Sequence, residues 1–461
     1  MGPSIHDQRR TVSVQTQDRR TRLRTSSRHV TLDRPAPLGR TALLVGALAM
    51  PYAILALIIA YRVNVPYMDE WQWTDFVYDL HRGTLTFAEL WAPHNEHRIF
   101  VPNLIIVVLA RLGGWYIVRQ QMVGLAGFVA CQFLLWRLIR RTVPVVVVPL
   151  TFFCVSALLY SLGQSMNFAF GDQLGWPICT FAVLSAALLL TKPDVSAADV
   201  ALAALAGVVG SYSSGQGFLT WPVGVLLLLF ARRRSARLLA VWIACGVMVV
   251  VLDRLGRHAT GAYPPVGAGM LLEYSLAYVG NPLAGWAGIM SSMEAGLLCV
   301  LAIVAFAVDD VIRRDRNTFD RRLPWYGLAA YAIAAAPITG FARFGSGGLA
   351  EALASRYVSI SSLLTMALVV LLVQYAVTHR HVLARTTAIA AVGVMMLLLI
   401  PTNEGGLAFW QGFAIQRQAD LDEIRRGDVA AATDTFPNMT LLFRYVWELQ
   451  QTHDGPFRPG G

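Results

Sequence analysis

The residues best equipped for chemistry crowd into one short connection. The stretch VPYMDEWQWTDFVYDLHRGTLTFAELWAPHNEHRIF, residues 65–100, opens with the adjacent acids Asp69 and Glu70. It nearly ends on His94, Asn95, Glu96, His97 and Arg98. A carboxylate within about 3 Å of a hydroxyl can serve as its general base. Asp69 and Glu70 also open a segment, 69–82, in which Trp73, Phe76, Val77 and Leu80 recur at helical spacing. Acids suit the positive end of a helix dipole, so capping and catalysis are both open to them.

The HNEHR cluster has three readings. His94, His97 and Glu96 could ligate a divalent metal, as imidazole and carboxylate suit several such ions. The cluster could instead hydrogen-bond a sugar or phosphate, or be a solvated loop. The second reading is preferred. The spacing is not the His-Glu-x-x-His of zinc hydrolases, and a metal pair at i, i+3 needs a helix directly after Pro93.

Further polar islands follow. GQSMNFAFGDQLGW, residues 163–176, offers Gln164, Asn167, Asp172 and Gln173, whose amides and carboxylate suit sugar hydroxyls. Residues 340–360 supply Arg343 and Arg356 at span edges, where a guanidinium can grip a phosphate bidentately. YSSGQGFLTW, residues 212–221, reads first as a tight turn, and Asp253, Arg254, Arg257 and His258 as ordinary surface charge.

These residues must be positioned by a membrane scaffold. The 461-residue chain is 56% hydrophobic and 14% charged, whereas soluble domains carry about 25% charged residues. Apolar runs predict an all-α polytopic membrane protein with about eleven transmembrane helices, near 41–60, 117–139, 143–162, 174–191, 198–213, 216–231, 237–253, 285–308, 324–341, 357–377 and 382–400. Residues 99–112 are apolar but too short to cross and predict a helix lying in the interface, inside an external loop 61–116. Residues 1–40 form a basic, disordered tail and 401–461 an external segment with a short surface helix at 417–428.

The net charge of +10 does not signal nucleic acid. Most Lys and Arg fall in the tail and in alternate short loops, which puts the N-terminus in the cytoplasm of a plasma membrane and the C-terminus outside. The five cysteines all lie in expected spans, without a Cys-x-x-Cys, and imply neither disulfides nor zinc. The short cytoplasmic loops hold no nucleotide-binding motif, which argues against a nucleotide-dependent reaction or ATP coupling.

A span, the acid pair, a flat helix ending near HRG, the short apolar helix of RIFVPNLIIVVLARLGGW and a span closing on LLWRLIRR make up a layout. It resembles the GT-C membrane glycosyltransferases, such as protein O-mannosyltransferases and lipid A aminoarabinose transferases. Where many of these carry Lys-Pro-Pro or Pro-Pro-Leu, this chain has HNEHRIFVPN. The resemblance implies an inverting glycosyltransferase that moves a sugar from a polyprenyl phosphate to a glycan, lipid or protein hydroxyl on the outer face. It implies that Asp69 is the base, with Glu70 second; the residues' own chemistry adds His94, Asn95, Glu96, His97, Arg98, Gln164, Asn167, Gln173, Arg343 and Arg356 as candidates to bind substrate. No cofactor is certain, and a divalent metal stays open. The rival reading is a transporter or flippase for a lipid-linked or polar solute.

Overall fold

The computed structural model describes residues 37–95, 97–256 and 266–458. Most of the basic tail, Glu96, Arg257 and His258 lie outside the described residues. The described chain is a stack of helices: α1 (Pro37–Ala60), α2 (Trp73–Arg82), α3 (Phe87–Trp91), α4 (Phe100–Gly113), α5 (Ile117–Thr142), α6 (Val148–Leu159), α7 (Ser165–Ala169), α8 (Gly175–Leu190), α9 (Ala197–Ser211), α10 (Thr220–Phe230), α11 (Ala236–Arg254), α12 (Ala268–Ala284), α13 (Ile289–Arg313), α14 (Arg316–Gly347), α15 (Val358–Thr378), α16 (Val382–Arg426) and α17 (Met439–Thr452). The one sheet among the described residues is a two-residue hairpin, β1 (Pro93–His94) against β2 (His97–Arg98).

Eight helices, beginning at Leu38, Ile117, Val148, Ala236, Ile289, Arg316, Ser355 and Val382, are long and apolar enough to cross a membrane. Three further expected spans coincide with shorter apolar helices, Gly175–Leu190, Ala197–Ser211 and Gly215–Phe230. The protein is an all-α, multi-pass membrane protein. Its centre is α15, whose residues are almost all buried, apolar and hydroxyl-bearing alike.

One element departs from expectation. Residues 268–284 fall between two expected spans, yet they form α12, which pairs with α13 along its length. Glycines permit the approach: a Cβ on Gly280 would sit 1.8 Å from the Ser292 carbonyl oxygen, and one on Gly296 2.0 Å from that of Leu276. Small residues let helix backbones meet closely where lipid gives no hydrophobic drive. Tyr274 lies against Gly340, and Asn281 Nδ2 donates to the Ala352 carbonyl at 3.4 Å. Both therefore sit at the late end of α14, and α12 forms an extra layer there. Gly280→Ala should destabilise the protein by about 1–3 kcal/mol, the range for overpacking. Thermal unfolding in detergent measures it, and an unchanged midpoint would refute this packing account.

The helix ends sort into two faces. On one, Arg141 at the end of α5 donates to the Leu188 carbonyl at 2.6 Å, and Arg232 after α10 reaches Asn317 at the start of α14 at 3.3 Å. On the other lie residues 61–116, the connections at 160–174 and 212–219, and the segment after α14. That second face is the site face.

It carries a small core of its own. Trp71, Trp73, Val77, Ile106 and Trp115 pack against Leu421, Ile424, Phe436, Leu442, Tyr445 and Leu449. Their partners come from the far end of the chain because α16 does not stop near residue 400. It continues through Pro401 for 45 residues in all, about 68 Å at 1.5 Å per residue. That is twice the ~30 Å hydrocarbon core, so its second half projects out and meets the first loop. The expected surface helix at 417–428 is the end of this rod. Arg417 Nη1 donates to the Pro66 carbonyl at 2.9 Å, Asn64 Nδ2 to that of Gly455 at 2.7 Å, and Trp115 N to Asp454 Oδ1 at 2.7 Å.

Candidate functional site

The first loop is built to hold Asp69 at an edge. A single 3-10 turn, Met68–Gln72, precedes α2, with Met68 itself at φ 47°. The turn drives Trp71 inward and leaves the Asp69 side chain about half exposed (54%). Its Oδ1 accepts from Gln72 Nε2 at 3.3 Å, and Oδ2 lies 3.9 Å from His94 Nε2. The His94 imidazole, with Arg343 and Arg356 further off, outweighs partial burial and holds the carboxyl below the ordinary aspartate range. Asp69 is a stable anion at neutral pH.

His94 and His97 lie in the two strands of a hairpin, not in a helix. Asn95 takes the left-handed conformation at φ 51°, and His94 stands opposite His97 across the two strands. Asp69, His94, Asn95 and His97 line a cavity of about 500 Å³, within the range of small-molecule sites. Asp172, Gln173, Arg343 and Arg356 line it too. The first loop, the connections at 160–174 and 212–219, the segment after α14 and the ends of α8, α11 and α14 thus bring acids, amides and guanidinium groups to one hollow.

Each wall is braced. Gln173 Nε2 donates to Asp172 Oδ1 at 2.7 Å, and Trp176 Nε1 donates to Gln173 Oε1 at 2.6 Å. Burial first, with the Asp69 charge adding, pushes Asp172 up to about 6 against the Gln173 amide. Arg356 Nη2 donates to Glu351 Oε1 and, at 3.2 Å, to the Tyr357 hydroxyl, which itself donates to Glu351 at 3.1 Å. Gln216 Nε2 donates to Thr339 Oγ1 at 3.2 Å, and Gln216 Oε1 accepts from Ser214 Oγ at 2.6 Å.

The remaining candidates lie behind the walls. Glu70 is buried outside the cavity: Oε2 accepts from Tyr67 N at 2.9 Å and Oε1 from Gly171 N at 2.6 Å, tying the first loop to the 160–174 connection. Arg98 is buried as well. It donates to the carbonyls of Trp91, Asp253 and Leu255 and lies over the Trp91 ring, pinning the hairpin to α11. Gln164 Nε2 donates to the Leu159 carbonyl. Asn167 Nδ2 donates to the Arg356 carbonyl at 3.1 Å, so it sets the backbone from which that guanidinium reaches out. Comparison with protein-family models, with curated proteins and with solved structures finds no match.

Asp253 lines the cavity, its Oδ1 4.0 Å from Arg98 Nε. As a lone acid at a span end it gave no signal, because its guanidinium partner lies 155 residues away. Among the described residues no cluster of three His, Cys, Asp or Glu side chains has the arrangement of a metal centre.

Glu70 offers a test of its structural part. Burial raises it from 4.5 to about 8, against its two backbone donors. Between those values the folded state keeps a proton that the unfolded chain has lost. Stability therefore falls as pH rises from about 4.5 towards about 8. Glu70→Gln should flatten that slope in thermal unfolding curves; an equal slope in both proteins would contradict the assignment.

Proposed function

We propose that the protein is a GT-C type glycosyltransferase that moves a sugar from a polyprenyl phosphate to an acceptor hydroxyl. The observation carrying this reading is the composition of the cavity: an ionised aspartate shares one hollow with Arg254, Arg343 and Arg356 at the ends of apolar helices. Val250 of α11 and Ile338 of α14 also line it, and both helices turn apolar side chains outward, among them Val251 and Phe341. A carrier's chain could then stay in lipid while its phosphate and sugar enter the hollow.

The chemistry balances with residues on hand. Asp69 orients the acceptor hydroxyl, and a carboxylate takes its proton. The acceptor oxygen attacks the anomeric carbon from the face opposite the phosphate. The bond from that carbon to the phosphate oxygen breaks, leaving its electron pair on the phosphate, and the configuration inverts. Arg343 and Arg356 meet the charge that grows on the leaving group. Asp172, held near pH 6, has the better-matched basicity for the proton, whereas Asp69 is the better permanent anion. His94, Asn95, His97 and Gln173 supply donors and acceptors for sugar hydroxyls.

Eleven spans, a cytoplasmic N-terminus and an external site face of the plasma membrane complete the proposal. The charge of the opposite face supports it. The test is reconstitution in liposomes with radiolabelled polyprenyl-phosphate hexoses and envelope extract as acceptor. Labelled product that needs the protein supports transfer. Solute flux with no labelled product would establish the transporter reading in its place.

A further inference from the structure

A second cavity, of about 280 Å³, lies on the opposite face. Four connections build it: the end of α5, the turn between α8 and α9, the turn after α10 and the start of α14. Arg141, Lys192, Arg232 and Arg321 line it with a single acid, Asp320.

The charges do not cancel. Lys192 is held by Asp199 at 2.5 Å. Asp320 is taken first by Arg316, at 2.8 Å, and reaches Arg232 only at 3.7 Å. Arg141 is half-buried and bonds only neutral groups, the carbonyls of Leu188 and Ala187 and the Thr191 hydroxyl. No carboxylate among the described residues comes within 4 Å of Arg141 or Arg321. A guanidinium drawn into a cavity without a counter-charge is costly unless an anion joins it.

From this geometry we infer that the cavity binds a phosphate-bearing group, and that its source is the headgroup of an anionic glycerophospholipid in the adjoining leaflet. Guanidinium forks match a phosphodiester's oxygens, and basic pockets between membrane helices suit such headgroups. Asn317, whose Oδ1 accepts from Arg232, adds an amide at the rim. The site is separate from the cavity proposed for transfer and does not depend on that function.

Native mass spectrometry of the purified full chain tests this, with equimolar phosphatidylglycerol and phosphatidylcholine. One phosphatidylglycerol should be retained in preference. Arg321→Gln combined with Arg232→Gln should lower that retention about tenfold or more, the scale of one charged contact. Both side chains are exposed, so the variant should fold. A second arm titrates inorganic phosphate at constant ionic strength and reads thermal unfolding. Stabilisation by phosphate that the variant loses, without any lipid preference, would assign the site to a soluble phosphate. Equal retention of the two lipids together with no phosphate response, or a variant that retains both like the parent, would overturn the proposal.

Discussion

Asp69→Asn should lower transfer from a lipid-phosphate sugar by about 10²–10³-fold, the scale for removing one group preorganised to meet the reacting atoms, while the protein still accumulates in the membrane. The substitution is nearly isosteric, and the side chain is half exposed with one long hydrogen bond from Gln72. Little structure depends on it. What vanishes is the anion that His94 stabilises and that an acceptor hydroxyl would meet. Asp172→Asn has a different signature. The base works ionised, so the parent's rate should rise as pH climbs through about 6, and the variant should lose that limb along with most of its turnover. An Asp69→Asn enzyme with unchanged turnover would end the catalytic assignment.

Arg356→Gln should cost about 10²–10³ in turnover, the loss seen when one donor to a developing oxyanion is removed. Arg356→Lys should rescue little, because an ammonium cannot reproduce the planar fork. The argument rests on how firmly the guanidinium is aimed. Glu351 and the Tyr357 hydroxyl hold one end, and Asn167 holds its backbone. A change in KM alone, with turnover intact, would mean that Arg356 binds the donor without stabilising the leaving phosphate. The Arg321→Gln variant, altered only on the opposite face, should keep parental turnover in the same assay.

The scaffold was readable in the sequence because lipid imposes a single rule: apolar runs of span length become helices. The short apolar helix α4 was readable too, because its 14 residues fall below the length of a span. α12 was not, because Tyr274, Asn281 and its glycines look like loop chemistry until α13 stands beside them. At the candidate site, sequence marked Asp69, the HNEHR stretch and the two arginines by charge in an apolar chain. It could not separate Asp69 from Glu70. Neighbours in sequence, they face opposite ways, one to the cavity and the other to the backbone amides of Tyr67 and Gly171. Nor could it tell Arg98 as a staple from His94 and His97 as lining, since Asp253 and Leu255 supply the difference from 155 and 157 residues away.

The rod-like α16 carries a consequence for biogenesis. Pro66 waits for Arg417 across 351 positions of chain, and Asn64 waits for Gly455 across 391. At a translation speed of ~5–20 residues per second, that delay is roughly 20–80 s. Throughout it Trp71 and Trp73 lack the C-terminal residues that cover them in the finished fold. The wall of the hollow that bears Asp69 is thus among the earliest parts made and among the last to be finished.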